Sequence, residues 1–141
     1  MICHARRMSN SEDLIALDLT DDESAVLRAG LDAWGGPARA TQEIAVAIGF
    51  RDQGDLLTEG DRIRIALETR QPLSPLDWAR AVLATEIAFA SQVVGSGDDW
   101  EVTTGFSDAD TIRILRQIQR NLPRRVCVVV HGEPRTEPPG Q

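Results

Sequence analysis

Residues 74–95 read SPLDWARAVLATEIAFASQVVG, and this stretch decides the fold. Ser74 is a favourable N-cap, Pro75 suits the first helical turn, and Asp77 complements the positive end of the helix dipole. Gly95 is a typical helix stop. About twenty residues make roughly 30 Å of helix, which is enough to cross a small domain. We therefore expect one long central helix.

A helical projection divides this helix into two faces and puts Glu86 in the middle of the apolar one. A carboxylate at such a position must pair with a cation, be protonated or face a pocket. Arg64 and Arg70, from the preceding helical stretch, are the candidate partners. The predicted solvent face comprises Asp77, Arg80, Ala84, Ala88 and Ser91. The predicted core face comprises Ala79, Val82, Leu83, Ala90 and Val93.

Two other stretches carry helix start signals. Thr20 and Glu23 have the spacing of a capping box and predict a helix over residues 21–34. Ser107 is a favourable N-cap and predicts a helix over residues 107–121. The predicted core stripe of that last helix comprises Ile112, Leu115, Ile118 and Leu122.

The remaining signals are weaker. Residues 61–70 have helical spacing, and residues 56–60 predict a turn before them. Residues 126–130 are rich in valine and β-prone, and could pair with residues 101–104.

These patterns together predict the fold class and the domain organisation. We expect a compact all-α bundle of five to six helices around the central helix 74–94, with a short β appendage left open. At 141 residues the chain is long enough for one core. A single domain over residues 11–122 is expected, with disordered tails over residues 1–10 and 123–141.

Residues 41–50, TQEIAVAIGF, are similar to the first helix and turn of helix-turn-helix DNA-binding domains. Ala45 stands at the tight-contact position of that motif and Gly49 at its turn. The resemblance implies a DNA-binding helix immediately afterwards. The sequence departs from the motif there, because residues 51–55 hold two acids and a glycine where base and phosphate contacts are expected. Asp55 also stands where the motif has an apolar residue.

The charge balance favours some partners over others. The chain has 15 basic residues, all arginine, against 22 acidic ones, and a net charge of −7. Much of the excess lies in residues 9–62, where 4 arginines face 12 acids. Such a surface repels nucleic acid and anionic membranes and favours a basic protein. No apolar run is long enough to cross a membrane and no export signal is evident, so we expect a cytoplasmic protein.

Two surface regions are candidates for interaction. The first is a loop that follows the central helix, where Asp98, Asp99 and Trp100 combine charge with an aromatic ring. The second is the basic face of the last predicted helix. That face comprises Arg113, Arg116 and Arg120.

Cysteine and histidine occur only near the ends of the chain, at Cys3, His4, Cys127 and His131. Their spacing is not that of a zinc site, so we expect no metal and no cofactor. The lack of internal histidine and cysteine also argues against an enzyme.

Three hypotheses for function follow. The first is a small acidic regulatory or immunity-like module that binds a basic protein, with self-association left open. The second is a transcriptional regulator that uses residues 41–59. The third is a small-ligand or enzymatic pocket around Glu86.

Overall fold

A computed structural model describes residues 13–128, and these residues form an all-α bundle, as predicted. Three short 3₁₀ turns, at Ala33–Gly35, Gly97–Asp99 and Arg124–Val128, join or follow the helices. The α-helices are α1 (Asp21–Asp32), α2 (Gln42–Ile48), α3 (Gln53–Glu68), α4 (Pro75–Ala90), α5 (Trp100–Thr104) and α6 (Asp108–Arg120).

The helix starts follow the sequence signals. Thr20 and Glu23 form the reciprocal capping box of α1. Ser74 accepts a hydrogen bond from the Asp77 amide at 3.1 Å. Ser107 caps α6 in the same way. Each cap satisfies an amide that has no partner within its helix, which fixes where the helix begins.

Helices α1 and α4 share the most extensive contact, α1 packs also against α3 and α6, and α4 packs also against residues 124–128. The segment before α1 is extended, and Ile15 forms an antiparallel bridge to Leu73. The indole nitrogen of Trp78 donates to the Ile15 carbonyl at 2.9 Å. The segment therefore lies across the start of α4.

The solvent face predicted for α4 is wrong. Asp77 is 6% exposed, and Ala84 and Ala88 are fully buried. On the predicted core face, Val93 is 76% exposed. Thr85, which lies beside Ala84, meets Gly30 of α1 at close range, so this side of α4 is a helix contact and not a solvent face.

The central helix also ends four residues earlier than predicted. It stops at Ala90, and Ser91 has extended backbone angles. The Ser91 hydroxyl accepts a hydrogen bond from the Val94 amide at 3.0 Å, and the Ser96 amide donates one to the Ala88 carbonyl at 2.7 Å. These bonds fold the chain back over the helix end.

Three further expectations are corrected. Residues 56–60 continue α3, because Leu56 and Gly60 pack inward and the helix bonds persist through them. Residues 101–104 are helical, and residues 124–128 form a 3₁₀ turn, so the described part of the β appendage is absent.

The core also differs from the prediction at the C-terminal end. Ile112 is 50% exposed, while Ile114 takes the inward position on α6. Val126 is 1% exposed, so the packed core continues past residue 122. Residues 1–12 and 129–141 lie outside the described residues. They include the predicted N-terminal tail, most of the predicted C-terminal tail with residues 129–130, and the side chains of Cys3, His4 and His131.

Candidate interaction site

A shallow groove of about 140 Å³ lies between α1 and α3, and we call it the α1–α3 groove. Its floor is apolar, since Leu31 and Leu56 are 7% and 2% exposed. Leu57 is 48% exposed and forms an apolar wall. The full lining comprises Leu31, Asp32, Gly35, Leu56, Leu57, Gly60, Asp61 and Arg64.

Two of the lining positions are glycines, and both have room for a side chain. A Cβ atom added at Gly60 would meet only the Leu31 Cδ2 atom, at 3.9 Å. A Cβ atom added at Gly35 would meet nothing within 4 Å. Larger residues at either position could therefore project into the open space.

Arg64 stands at one side of the groove within a ring of three carboxylates. Its guanidinium lies 2.6 Å from Asp61 Oδ1, 3.3 Å from Asp32 Oδ1 and 3.7 Å from Glu68 Oε1. The hydrogen bond to Asp61 is the main cause that raises the pKa of Arg64. We call these four residues the Arg64 cluster, and three carboxylates against one guanidinium give it a net charge of −2.

The negative charge of the cluster faces outward. The side chains of Asp32, Asp61 and Glu68 are 67%, 57% and 57% exposed, against 28% for Arg64. Exposed ion pairs contribute only about 0–1 kcal/mol each, so the carboxylates can take a second cation at little cost to the fold. At physiological salt this attraction acts over about 8 Å.

Exposed apolar side chains lie next to these charges in the sequence of α3. Leu57 and Ile65 are 48% and 47% exposed, and Asp61 lies one helical turn from each. This arrangement matches a partner that presents a basic side chain flanked by apolar ones.

A second charged group, which the sequence did not reveal, joins α3 to α4 and is partly buried. Asp77 accepts from Arg62 Nη2 at 2.9 Å and from Arg80 Nη1 at 3.1 Å. Arg80 also donates to the Gly49 carbonyl at 3.0 Å, and its guanidinium lies 4.7 Å from the Phe50 ring centroid. Burial alone would lower the pKa of Arg62, but the hydrogen bonds to Asp77 and Glu59 outweigh burial and raise it. This cluster ties α2, α3 and α4 together.

The turn expected from the helix-turn-helix resemblance is present. Helix α2 is followed by Gly49 in the left-handed conformation (φ 115°), and α3 starts four residues later. Ala45 is fully buried, as that motif requires. Asp55 takes the inward position with an 8% exposed side chain, and accepts from the Arg51 amide at 2.9 Å. The acid is tolerated there because a backbone amide satisfies it.

Lowering the pH is expected to remove the contribution of Asp55 to stability. The hydrogen bond from the Arg51 amide is the main cause that holds the pKa of Asp55 below its ordinary value of 3.8. A carboxyl whose pKa is lowered on folding stabilises the fold above the unfolded pKa, and this stabilisation is lost as the pH falls through the folded pKa. We expect Asp55→Asn to be about 1 kcal/mol less stable than wild type at neutral pH. That difference should shrink below about pH 4.

Urea unfolding across this pH range measures the effect. Asp98→Asn is the control, because Asp98 is exposed. A difference for Asp55→Asn that did not change with pH would contradict the assignment.

The residues proposed as a buried polar set do not meet. Glu86 is half-buried, and its Oε2 atom accepts from Gln119 Nε2 at 2.7 Å. Arg64 is held in the Arg64 cluster, and Arg70 bonds to Asp21 and to the Leu19 carbonyl. The prediction that an arginine reaches Glu86 is therefore wrong, because the acids of α1 lie closer to both arginines.

The two candidate interaction regions, the loop after α4 and the basic face of α6, differ in their exposure to solvent. Trp100 is fully buried, and its indole nitrogen donates to Thr111 Oγ1 at 2.9 Å, so it is a core residue. Asp98 and Asp99 beside it are exposed. The basic face of α6 points to solvent. Its members Arg113, Arg116 and Arg120 are all exposed.

No protein-family model matches the chain, and no curated protein or solved structure matches it. Among residues 13–128, no three His, Cys, Asp or Glu side chains are grouped to hold a metal ion. In the same residues no helix combines the length and hydropathy needed to cross a membrane.

Proposed function

We propose that the protein is a small helical interaction module that binds a basic protein partner through the α1–α3 groove. The observation that carries the proposal is the Arg64 cluster, where three outward carboxylates share one guanidinium beside the α1–α3 groove. Depletion of acids is usual at the centre of an interface, so the acids are expected to act at the rim of the contact.

Part of the remaining acidic surface is already neutralised, although Asp98, Asp99 and Glu101 form no ion pair among the described residues. Several acids among the described residues already pair with an arginine from elsewhere in the chain. These pairs are Asp13 with Arg125, Asp21 with Arg70, and Asp55 with Arg51. Because each of these pairs is neutral overall, it attracts a distant cation only weakly. The Arg64 cluster, in contrast, keeps an excess of two negative charges.

The partner's contact segment is expected to carry an arginine or lysine next to a small apolar side chain. The cation would meet Asp32 and Asp61, and the apolar group would enter the space above Gly60. Charge complementarity at a rim mainly raises the association rate and makes it salt-dependent.

Reversing one charge at the groove is expected to abolish partner binding. Full-length protein is immobilised, and proteins from source-cell lysate are retained at low and at high salt. Wild type is compared with Asp61→Arg and with the matched control Asp110→Arg. The control is close, because Asp61 and Asp110 are 57% and 59% exposed and each pairs with the arginine three residues later.

The expected result is a basic protein retained by wild type and by Asp110→Arg, and lost from Asp61→Arg and at high salt. Retention by all three proteins would place the contact elsewhere. If neither wild type nor Asp110→Arg retained a basic protein, the proposal of a basic protein partner would be rejected.

The geometry of α2, Gly49 and α3 also favours a second candidate, DNA binding by a helix-turn-helix. Against it, Asp61 and Glu68 lie on the outward face of α3, and Arg62 is bonded to Glu59 and Asp77. A phosphate would have to displace those carboxylates. Recovery of DNA at low ionic strength, with steep loss on adding salt, would support this candidate over the first.

A further inference from the structure

A second cleft lies on another part of the bundle, between α4 and residues 122–127. It holds about 220 Å³, and we call it the Glu86 cleft. Among the described residues, Glu86 is the one charged side chain in its lining. The lining comprises Ala79, Val82, Leu83, Glu86, Leu122, Val126 and Cys127. None of these residues lines the α1–α3 groove.

The Glu86 carboxylate is oriented but not neutralised. Gln119 Nε2 donates to Glu86 Oε2 at 2.7 Å, and Arg116 Nη1 donates to Gln119 Oε1 at 2.7 Å. Because a guanidinium only donates, the Gln119 carbonyl must face Arg116 and its amide NH₂ must face Glu86. Glu86 Oε2 is therefore held as an acceptor.

One carboxylate oxygen remains for a ligand. Within residues 13–128, Glu86 Oε1 makes no hydrogen bond, and Glu86 forms no ion pair with any arginine. A half-buried anion that faces apolar walls and has a neutral partner favours a cation with its own apolar part.

The size of the cleft limits the ligand. Sites for drug-sized molecules span about 300–1,000 Å³, so a cleft of about 220 Å³ takes something smaller. We propose that the Glu86 cleft binds a small alkylammonium ion. Its ammonium donates to Glu86 Oε1, and its short alkyl chain lies against Val82, Leu83 and Val126.

Titration calorimetry with n-butylammonium tests this proposal on the full-length chain. n-Butanol has a similar shape without the charge. Glu86→Gln keeps the shape of the side chain and removes its charge, and Glu101→Gln is the control because Glu101 is an exposed acid on α5. Circular dichroism checks that each variant is folded. Ala79→Val is a second variant, which keeps Glu86 and takes up volume in the cleft.

The proposal expects wild type and Glu101→Gln to bind n-butylammonium equally. Glu86→Gln should bind about tenfold more weakly or worse, since a charge-assisted hydrogen bond is lost. Ala79→Val should also weaken binding, and n-butanol should bind wild type less tightly than the amine. Equal binding by Glu86→Gln and wild type would overturn the proposal, as would no binding of the amine to wild type.

Discussion

Replacing Gly30 with alanine is expected to destabilise the protein by about 3 kcal/mol or more. Gly30 lies on the inner face of α1 against Thr85 of α4. A Cβ atom at position 30 would lie 2.6 Å from the Thr85 Cα atom and would overlap its hydroxyl. The obstacle is backbone, so no side-chain rotation relieves it and the two helices must separate. Alanine improves helix propensity by about 1 kcal/mol, which is too little to offset the overlap.

The matched control is Gly60→Ala in α3. Its Cβ atom would make only an ordinary contact with Leu31, at 3.9 Å. We expect this variant to be about 0.4–1 kcal/mol more stable than wild type, because the unfolded chain loses freedom. Urea unfolding followed by circular dichroism measures both changes. If Gly30→Ala were as stable as wild type, the close packing of α1 on α4 would be wrong.

Removing the Asp77 carboxylate is expected to cost about 2–3 kcal/mol. Asp77 bridges Arg62 and Arg80, and Arg80 is only 13% exposed. Breaking a fully buried pair costs about 3–5 kcal/mol, because a charge is left without its partner. The smaller value applies here because Arg62 is 48% exposed and solvent screens its charge.

Two further variants separate this ion-pair effect from loss of side-chain bulk. Asp110→Ala removes an exposed partner of Arg113 and should change stability by less than about 1 kcal/mol. The double variant Asp77→Ala with Arg80→Ala should be more stable than the sum of the single effects predicts, since the Arg80 guanidinium is no longer left without its carboxylate. Strictly additive effects would show that Asp77 and Arg80 do not interact.

Local signals in the sequence predicted the helix starts. Thr20, Ser74 and Ser107 each bond to an amide within three residues, so the interaction depends on no other part of the chain. The turn at Gly49 was predictable for the same reason, because a left-handed residue after a helix favours glycine whatever surrounds it.

The faces of the central helix could not be predicted in this way. Ala84 and Ala88 have side chains so small that a projection cannot tell a solvent face from a close helix contact. A charged residue such as Asp77 is expected to face solvent, but Arg62 of α3 and Arg80 of its own helix pair with it where it is buried. Gly30 did carry a signal, since a glycine on the apolar face of a predicted helix indicates close contact with another helix. The structure confirms that contact, with Thr85 of α4.

The candidate site depends on tertiary structure even more strongly. The sequence predicts Arg64 as a candidate partner of Glu86, but Arg64 pairs with Asp32 of α1 and with Asp61 of its own helix. The α1–α3 groove combines residues 31–35 with residues 56–64, and no local pattern relates those ranges. Glu86 was the exception, because one carboxylate in an apolar face already required a pairing partner, a proton or a pocket.

The most direct test of the α1–α3 groove is to fill it without changing its charge. Gly60→Leu should project a side chain into the groove, whereas Gly54→Leu places the same side chain on an exposed part of α3. The dissociation constant of the basic protein retained by wild type is measured for all three proteins. The account predicts unchanged affinity for Gly54→Leu and a loss of about tenfold or more for Gly60→Leu, or roughly 1.4 kcal/mol. Equal affinity for the two leucine variants would contradict it.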